Sequence, residues 1–274
     1  MDQSPIGFLL LALTGLATYS ALNHTEIRER YLLWTDGVLI RKEYDRLFTS
    51  GFLHGDWIHF AFNMMALLSF NQVLEMRFGI WYFLLIYFMS MLGGSLLALF
   101  IHRNHGEYRG LGASGAVSGV ILAFIVLYPT ADLSIPFIDI GIKAWIVGLL
   151  FIIISILGMK YQKDNIGHDA HLGGGITGVL LALAIEPSLA ITNWWMVLII
   201  LVPSLIFFFI LLRNPAIMYV ENYWGEEVHE LKTYKMSKKK QPTLDELLDK
   251  ISKQGINSLT TKEKKLLEDY QRKL

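Results

Sequence analysis

Apolar residues in this chain gather in long unbroken blocks. Seven stretches carry no Asp, Glu, Lys or Arg: Pro5 to Leu22, Ile58 to Leu74, Phe78 to Ile101, Gly110 to Ala131, Ala144 to Met159, Ala170 to Ile185 and Pro187 to Leu212. A charge at the centre of a bilayer costs about 2.5 to 3.5 kcal/mol on insertion scales, so blocks of this kind are the sequence mark of membrane spans. About 20 residues of helix cross the hydrocarbon core. The fifth and sixth blocks are shorter and need their polar flanks to do so. The pattern predicts an all-α polytopic membrane protein with seven spans.

The first block follows Met1, Asp2 and Gln3. It lacks the basic region that opens a signal peptide and reads as a retained helix. Residues 23–57 form a long first loop in which Trp34, Tyr44, Phe48, Phe52 and Trp57 lie among charges, a mixture suited to the membrane interface. The expected division is a membrane domain over 1–213 and a polar tail over 214–274. The tail contains Lys238, Lys239 and Lys240, then two Thr-x-x-Glu capping boxes, Thr243 with Glu246 and Thr260 with Glu263, with Gly255 between them. With leucines at helical spacing, this predicts a small helical hairpin. A disordered tail with two nascent helices is the alternative.

Composition agrees and removes several chemistries. The 274 residues are 53% hydrophobic and 18% charged, with a mean hydropathy of +0.43; soluble domains average roughly 25% charged. Lys plus Arg equals Asp plus Glu at 24 each, leaving no basic excess for nucleic acid. The absence of cysteine excludes thiolate nucleophiles and Cys-ligated zinc.

Consecutive spans alternate direction, so the second, fourth and sixth enter from one face. The second carries His59 and Asn63 near its start, the fourth Ser114, and the sixth His171. Ionisable groups within a membrane suggest function. The run Gly110, Leu111, Gly112, Ala113, Ser114, Gly115 predicts irregular backbone giving way to a helix near the serine, below the membrane surface and therefore beside a hydrated cavity. Unpaired N–H groups at that helix start could stabilise an oxyanion. Gly115 with Gly119, and Gly174 with Gly178, form two faces of small residues that let helices approach. Such an approach would let His171 accept the proton of Ser114 and return it to a leaving amine. No carboxylate stands out as a third member, since Asp169 lies two residues before His171 and faces away. His59 and Asn63, four apart, share a helical face and suit an oxyanion hole. Each feature also has a plainer reading. Membrane serines often bond back to their own helix, and glycine faces often serve packing alone. His54, His59, His168, Asp169 and His171 could instead bind a metal, although no His-Glu-x-x-His motif is present.

Gly112-Ala113-Ser114-Gly115, Ala170-His171 with Gly174 and Gly178, His59 with Asn63, and Glu75-x-Arg77 together resemble the rhomboid intramembrane serine proteases. The stretch from Arg46 to His59 resembles that family's approach to its second helix. The resemblance covers about residues 5 to 212. It implies a six-helix core with an added C-terminal seventh helix, Ser114 as nucleophile, His171 as general base, and an oxyanion hole of His59, Asn63 and the Ser114 N–H. Glu75 and Arg77 would be structural, tying the first loop and neighbouring helices. No cofactor or metal is implied. Partners would be the bilayer and transmembrane protein substrates, in a multi-pass protein of a cell membrane such as a bacterial inner membrane. The alternative is a catalytically silent relative that binds and delivers membrane clients.

Two positions depart from the family pattern. Where many members place an aromatic ring against the catalytic histidine, this chain has Ser118, so Ser118→Tyr is expected to raise activity. Where they have Trp-Arg in the first loop, it has Asp45-Arg46. Sidedness is also contested. Arg28, Arg30, Arg41, Lys42, Arg46, Arg103, Arg109, Lys160 and Lys163 fall in the odd loops, against Arg77 and Lys143 opposite. By the positive-inside rule Ser114 opens toward the cytoplasm; the family resemblance implies the reverse. The family arrangement is preferred because five of those cations lie in a first loop expected at the interface, where Arg can snorkel.

Overall fold

The computed structural model of the protein describes residues 5–135, 138–161, 166–213, 244–255 and 258–260, together with 263, 267 and 270. Each of the seven apolar blocks contains a long helix: α1 (Pro5–Asn23), α5 (Trp57–Phe78), α6 (Ile80–Ile101), α7 (Ser114–Leu127), α8 (Ala144–Tyr161), α9 (His168–Ile185) and α11 (Trp194–Arg213). Five of them, all but α5 and α7, are long and apolar enough to cross a membrane. At 14 residues α7 is only about 21 Å long. All its residues except Ser114 and Ile121 are buried, as expected of a helix apolar all round and enclosed by its neighbours.

Glycine faces set the approach of α7 to α9 and α6. A Cβ on Gly174 would fall 2.0 Å from the Gly115 carbonyl oxygen, and one on Gly178 2.3 Å from that of Gly119. On the other side, a Cβ on Gly94 would meet the Ala170 carbonyl oxygen at 2.6 Å and the Gly115 Cα at 3.3 Å. Backbones this close need small residues, because lipid supplies no hydrophobic drive between helices and close packing must do that work.

The first loop is folded. It contains α2 (Thr25–Tyr31), β1 (Leu33–Trp34), α3 (Thr35–Leu39), α4 (Arg46–Thr49) and a 3-10 turn at Ser50–Phe52. β1 pairs antiparallel with β2 (Arg109–Gly110), joining the loop to the segment that leads into Ser114. Arg46 is buried and donates to the carbonyls of Glu29 and Leu32, both at 2.8 Å. The guanidinium groups of Arg41, Arg46 and Arg109 lie 4.5, 5.6 and 5.5 Å from the Trp34 ring, whose Nε1 donates to the Gly106 carbonyl at 2.8 Å. Trp34 thus anchors the loop where position 45 carries no tryptophan.

Two details revise the expected elements. β3 (Asp132–Ile135) and β4 (Ile138–Lys143) form a second antiparallel pair, with Asp132 opposite Lys143. Their alternating polar and apolar residues carry the two-residue period of a strand. The block expected from Pro187 is broken, with α10 (Leu189–Thr192) preceding α11. Asn193 between them donates to the carbonyls of Val126 and Leu127 at 2.8 and 3.2 Å, satisfying groups that the end of α7 leaves without intrahelical partners.

The chain divides into two compact units, Met1–Val220 and Glu221–Leu274. In the second, α12 (Leu244–Gln254) ends at Gly255 with φ +80° and its N–H bonded to the Ile251 carbonyl at 2.8 Å. The Thr260 and Glu263 box forms reciprocally, and Glu263 also accepts from Lys250 at 2.8 Å. Lys250 and the Thr260 N–H hold the Glu263 carboxyl down to about 2. The box expected at Thr243 and Glu246, and the lysines 238–240, lie outside the described residues and side chains.

Candidate active site

The N-terminal ends of α5, α7 and α9 converge. Irregular backbone gives way to helix at Ser114, the first residue of α7, with Gly112 at φ +129° two residues earlier. Only glycine is comfortable at that φ, and space demands it as well. A Cβ on Gly112 would lie 2.9 Å from Cε1 of His59 and 3.7 Å from Oγ of Ser114. The serine hydroxyl and the His59 ring therefore flank one point of bare backbone.

Asp56 positions His59. Its carboxylate caps α5 by accepting the His59 N–H at 2.7 Å. Asn63, buried one turn on, donates from Nδ2 to the His59 carbonyl at 3.0 Å. One of its two amide hydrogens is thereby used within the helix and one remains.

His171 is the fourth residue of α9, and its N–H donates to Gly167 at 3.0 Å. Its neighbour Ala170 touches α7, with a Cβ on Gly115 falling 3.2 Å from the Ala170 carbonyl oxygen. Phe151 of α8 supplies the aromatic ring that position 118 lacks. It stacks on the His171 imidazole with centroids 6.2 Å apart and planes inclined at 27°. Ser118 itself is buried in α7. His168 meets His171 edge-on at 5.9 Å and fits against Gly158 of α8, where a Cβ would lie 2.3 Å from its ring.

Asp169 pairs elsewhere. Its buried carboxylate lies 3.0 Å from Nε2 of His102 and accepts from the Tyr108 hydroxyl at 3.4 Å, while the rings of His102 and Tyr108 stack at 3.7 Å. These partners follow α6 and hold the segment before Ser114 against the start of α9. No sequence pattern pairs His102 with Tyr108, and Phe151 sits in a uniformly apolar block with no signal of its own; a histidine at the end of a span is the one clue to the group.

Glu75 and Arg77 lie at the far end of α5. Arg77 is bound through two of its guanidinium nitrogens, Nε and Nη2, to Glu186 just past α9, with Nε donating at 2.9 Å, and Glu75 accepts from Asn71 at 3.3 Å. Arg77 and Glu186 thereby join the end of α5 to the end of α9. Among the described residues no group of three or more His, Asp or Glu side chains is arranged to hold a metal ion.

The Rhomboid domain family matches residues 41–188, and a family of unknown function, DUF6576, matches residues 232–273. The chain is 34% identical over 149 residues to RHOMBOID-like protein 12, mitochondrial, of Arabidopsis thaliana, covering 49% of this chain and 44% of that protein. It is 31% identical over 150 residues to Rhomboid protein 1, mitochondrial, of Saccharomyces cerevisiae, covering 52% and 43%. It is 32% identical over 179 residues to Rhomboid protease GluP of Bacillus subtilis, covering 65% and 32%. The matches span less than half the length of each relative.

Proposed function

The chain belongs to the rhomboid family, and from that premise we propose that it is an intramembrane serine endopeptidase acting on transmembrane segments of other proteins. The observation that carries this reading is the contact at Gly112, where Oγ of Ser114 and the ring of His59 face the same point of backbone.

In this mechanism Ser114 Oγ attacks the scissile carbonyl carbon and His171 takes the hydroxyl proton. The carbonyl oxygen becomes an oxyanion, stabilised by the Ser114 N–H at the start of α7 and by the side-chain donors of His59 and Asn63. As the tetrahedral intermediate collapses, the C–N bond breaks and His171 gives its proton to the leaving amine. Water then attacks the acyl-enzyme with His171 again as base, releasing the acid and restoring Ser114. Phe151 steadies the imidazole between its two proton transfers. Substrate helices must unwind locally, because a helical peptide bond is shielded by its own hydrogen bonds, so small and helix-weakening residues are favoured at the cleaved bond.

The protein is a multi-pass membrane protein. Two of the relatives are mitochondrial by name, which lends no support to the expected bacterial inner membrane. The N-terminus lies on the inner side, with the first loop and Ser114 open to the exterior. Cleavage of a transmembrane substrate in proteoliposomes tests the function. Wild type should cleave, and Ser114→Ala, His171→Ala and their double variant should fail alike, since members of one catalytic unit are not additive. A silent client-binding relative would give no cleavage from any of them.

A further inference from the structure

His54 is fully buried and has no step in the proposed chemistry, yet it touches two parts of the proposed oxyanion site. Its Nε2 lies 3.4 Å from the Ala113 backbone nitrogen, and its Nδ1 lies 3.0 Å from Oγ1 of Thr18 in α1. The Thr18 hydroxyl in turn reaches the Phe52 carbonyl at 3.2 Å. The direction of every bond in this chain is fixed. A backbone N–H can only donate, so Nε2 accepts and carries no proton. The proton is therefore on Nδ1 and goes to Thr18, whose own hydrogen goes to Phe52. The imidazole edge also packs against the ring of His59, with centroids 4.8 Å apart and planes at 77°.

Ala113 precedes the nucleophile, and both its ends are held. Its N–H bonds to His54, and its carbonyl accepts from Val117 at 3.0 Å as the first bond of α7. The Ser114 N–H shares a rigid peptide plane with that carbonyl and points the opposite way, out of the helix start. We propose that His54 is a positioning residue for oxyanion stabilisation, in which α1, through Thr18 and the His54 ring, fixes the peptide that carries the Ser114 N–H and braces His59. This rests on the serine-protease reading. It also gives a role to α1, since Thr18 precedes the residues 41–188 matched by the Rhomboid domain.

Thr18→Val tests the proposal because it keeps the side-chain shape and removes both the acceptor for Nδ1 and the donor to Phe52. With a fluorogenic transmembrane peptide, kcat should fall at least about tenfold while KM stays within about twofold, because the misplaced donor acts on the developing oxyanion and not on the bound substrate. Thr18→Ser, which restores the hydroxyl, should recover turnover to within about threefold of wild type. A purely structural role would instead lower thermal stability with kcat intact. A Thr18→Val enzyme with wild-type kcat beside an active wild type overturns this proposal alone. An inactive wild type overturns the protease reading and the proposal with it. Should Thr18→Val not fold, 15N spectra of histidine-labelled wild type decide. The neutral Nδ1–H tautomer of His54 at pH 7 is expected, and an Nε2–H or protonated ring overturns the proposal.

Discussion

Phe151 and His171 stack across the α8 and α9 contact, with ring centroids 6.2 Å apart. In the proposed mechanism this imidazole takes a proton from a serine and hands it to an amine, which needs a restricted set of ring orientations, and Phe151 restricts them from one face. The side chain comes from the fifth span. Position 118, where the family pattern has an aromatic ring, lies in the fourth and carries a buried serine.

Phe151→Ala should therefore lower kcat by roughly tenfold with little change in KM, as expected when a residue acts on positioning. Ser118→Tyr, which the sequence suggested as an improvement, should now cost about 1 to 3 kcal/mol by overpacking a buried position without raising turnover. Detergent-phase melting and peptide kinetics on both variants check this pair.

Gly174→Ala should separate α7 from α9, because its Cβ would fall 2.0 Å from the Gly115 carbonyl oxygen. A loss of about 1 to 3 kcal/mol or more is expected, with activity falling alongside it. Gly55→Ala is the control, since its Cβ would meet only Leu111 Cδ1 at 3.9 Å, and it should melt like wild type. Equal melting temperatures for the two variants would remove the close approach of α7 and α9.

Much of this was legible in the sequence because membrane burial leaves strong signals. Charge-free blocks marked the long helices, and the glycine density around Ser114 marked the start of α7. The four-residue spacing of Gly115 with Gly119 and of Gly174 with Gly178 marked the contact between two helices. What escaped depends on partners distant in sequence. Phe151 differs in no local way from the other apolar residues of α8. Asn193 reads as a polar interruption until its amide is seen on the last carbonyls of α7. The Asp169, His102 and Tyr108 group needed three dimensions, although a buried carboxylate next to a candidate base required some partner.

His54 makes stability depend on pH. Burial and then the neighbouring His59 lower its pKa from 6.5 to about 3, with Asp56 opposing. The unfolded chain therefore binds the proton more readily, and this contribution is complete above about 6.5 and lost as pH falls toward 3, by up to about 1.4 kcal/mol per unit. His54→Gln cannot titrate. Between pH 7.5 and 5 its melting temperature should fall less than that of wild type, and parallel curves would contradict the buried neutral imidazole.

Sidedness sets the family arrangement against the count of Lys and Arg. A cysteine introduced at Thr25, at the start of α2 in a chain with no cysteine of its own, should react with a membrane-impermeant maleimide added outside intact cells. Reaction only after lysis would place the first loop inside, as the positive-inside rule has it.

The most direct test of the central claim is labelling of the detergent-purified protein with a serine-reactive fluorophosphonate, with the adduct located by mass spectrometry. The expected result is a single adduct on Ser114 in wild type and none in Ser114→Ala. Equal labelling of both proteins, or an adduct on another serine, would contradict the assignment of Ser114 as nucleophile.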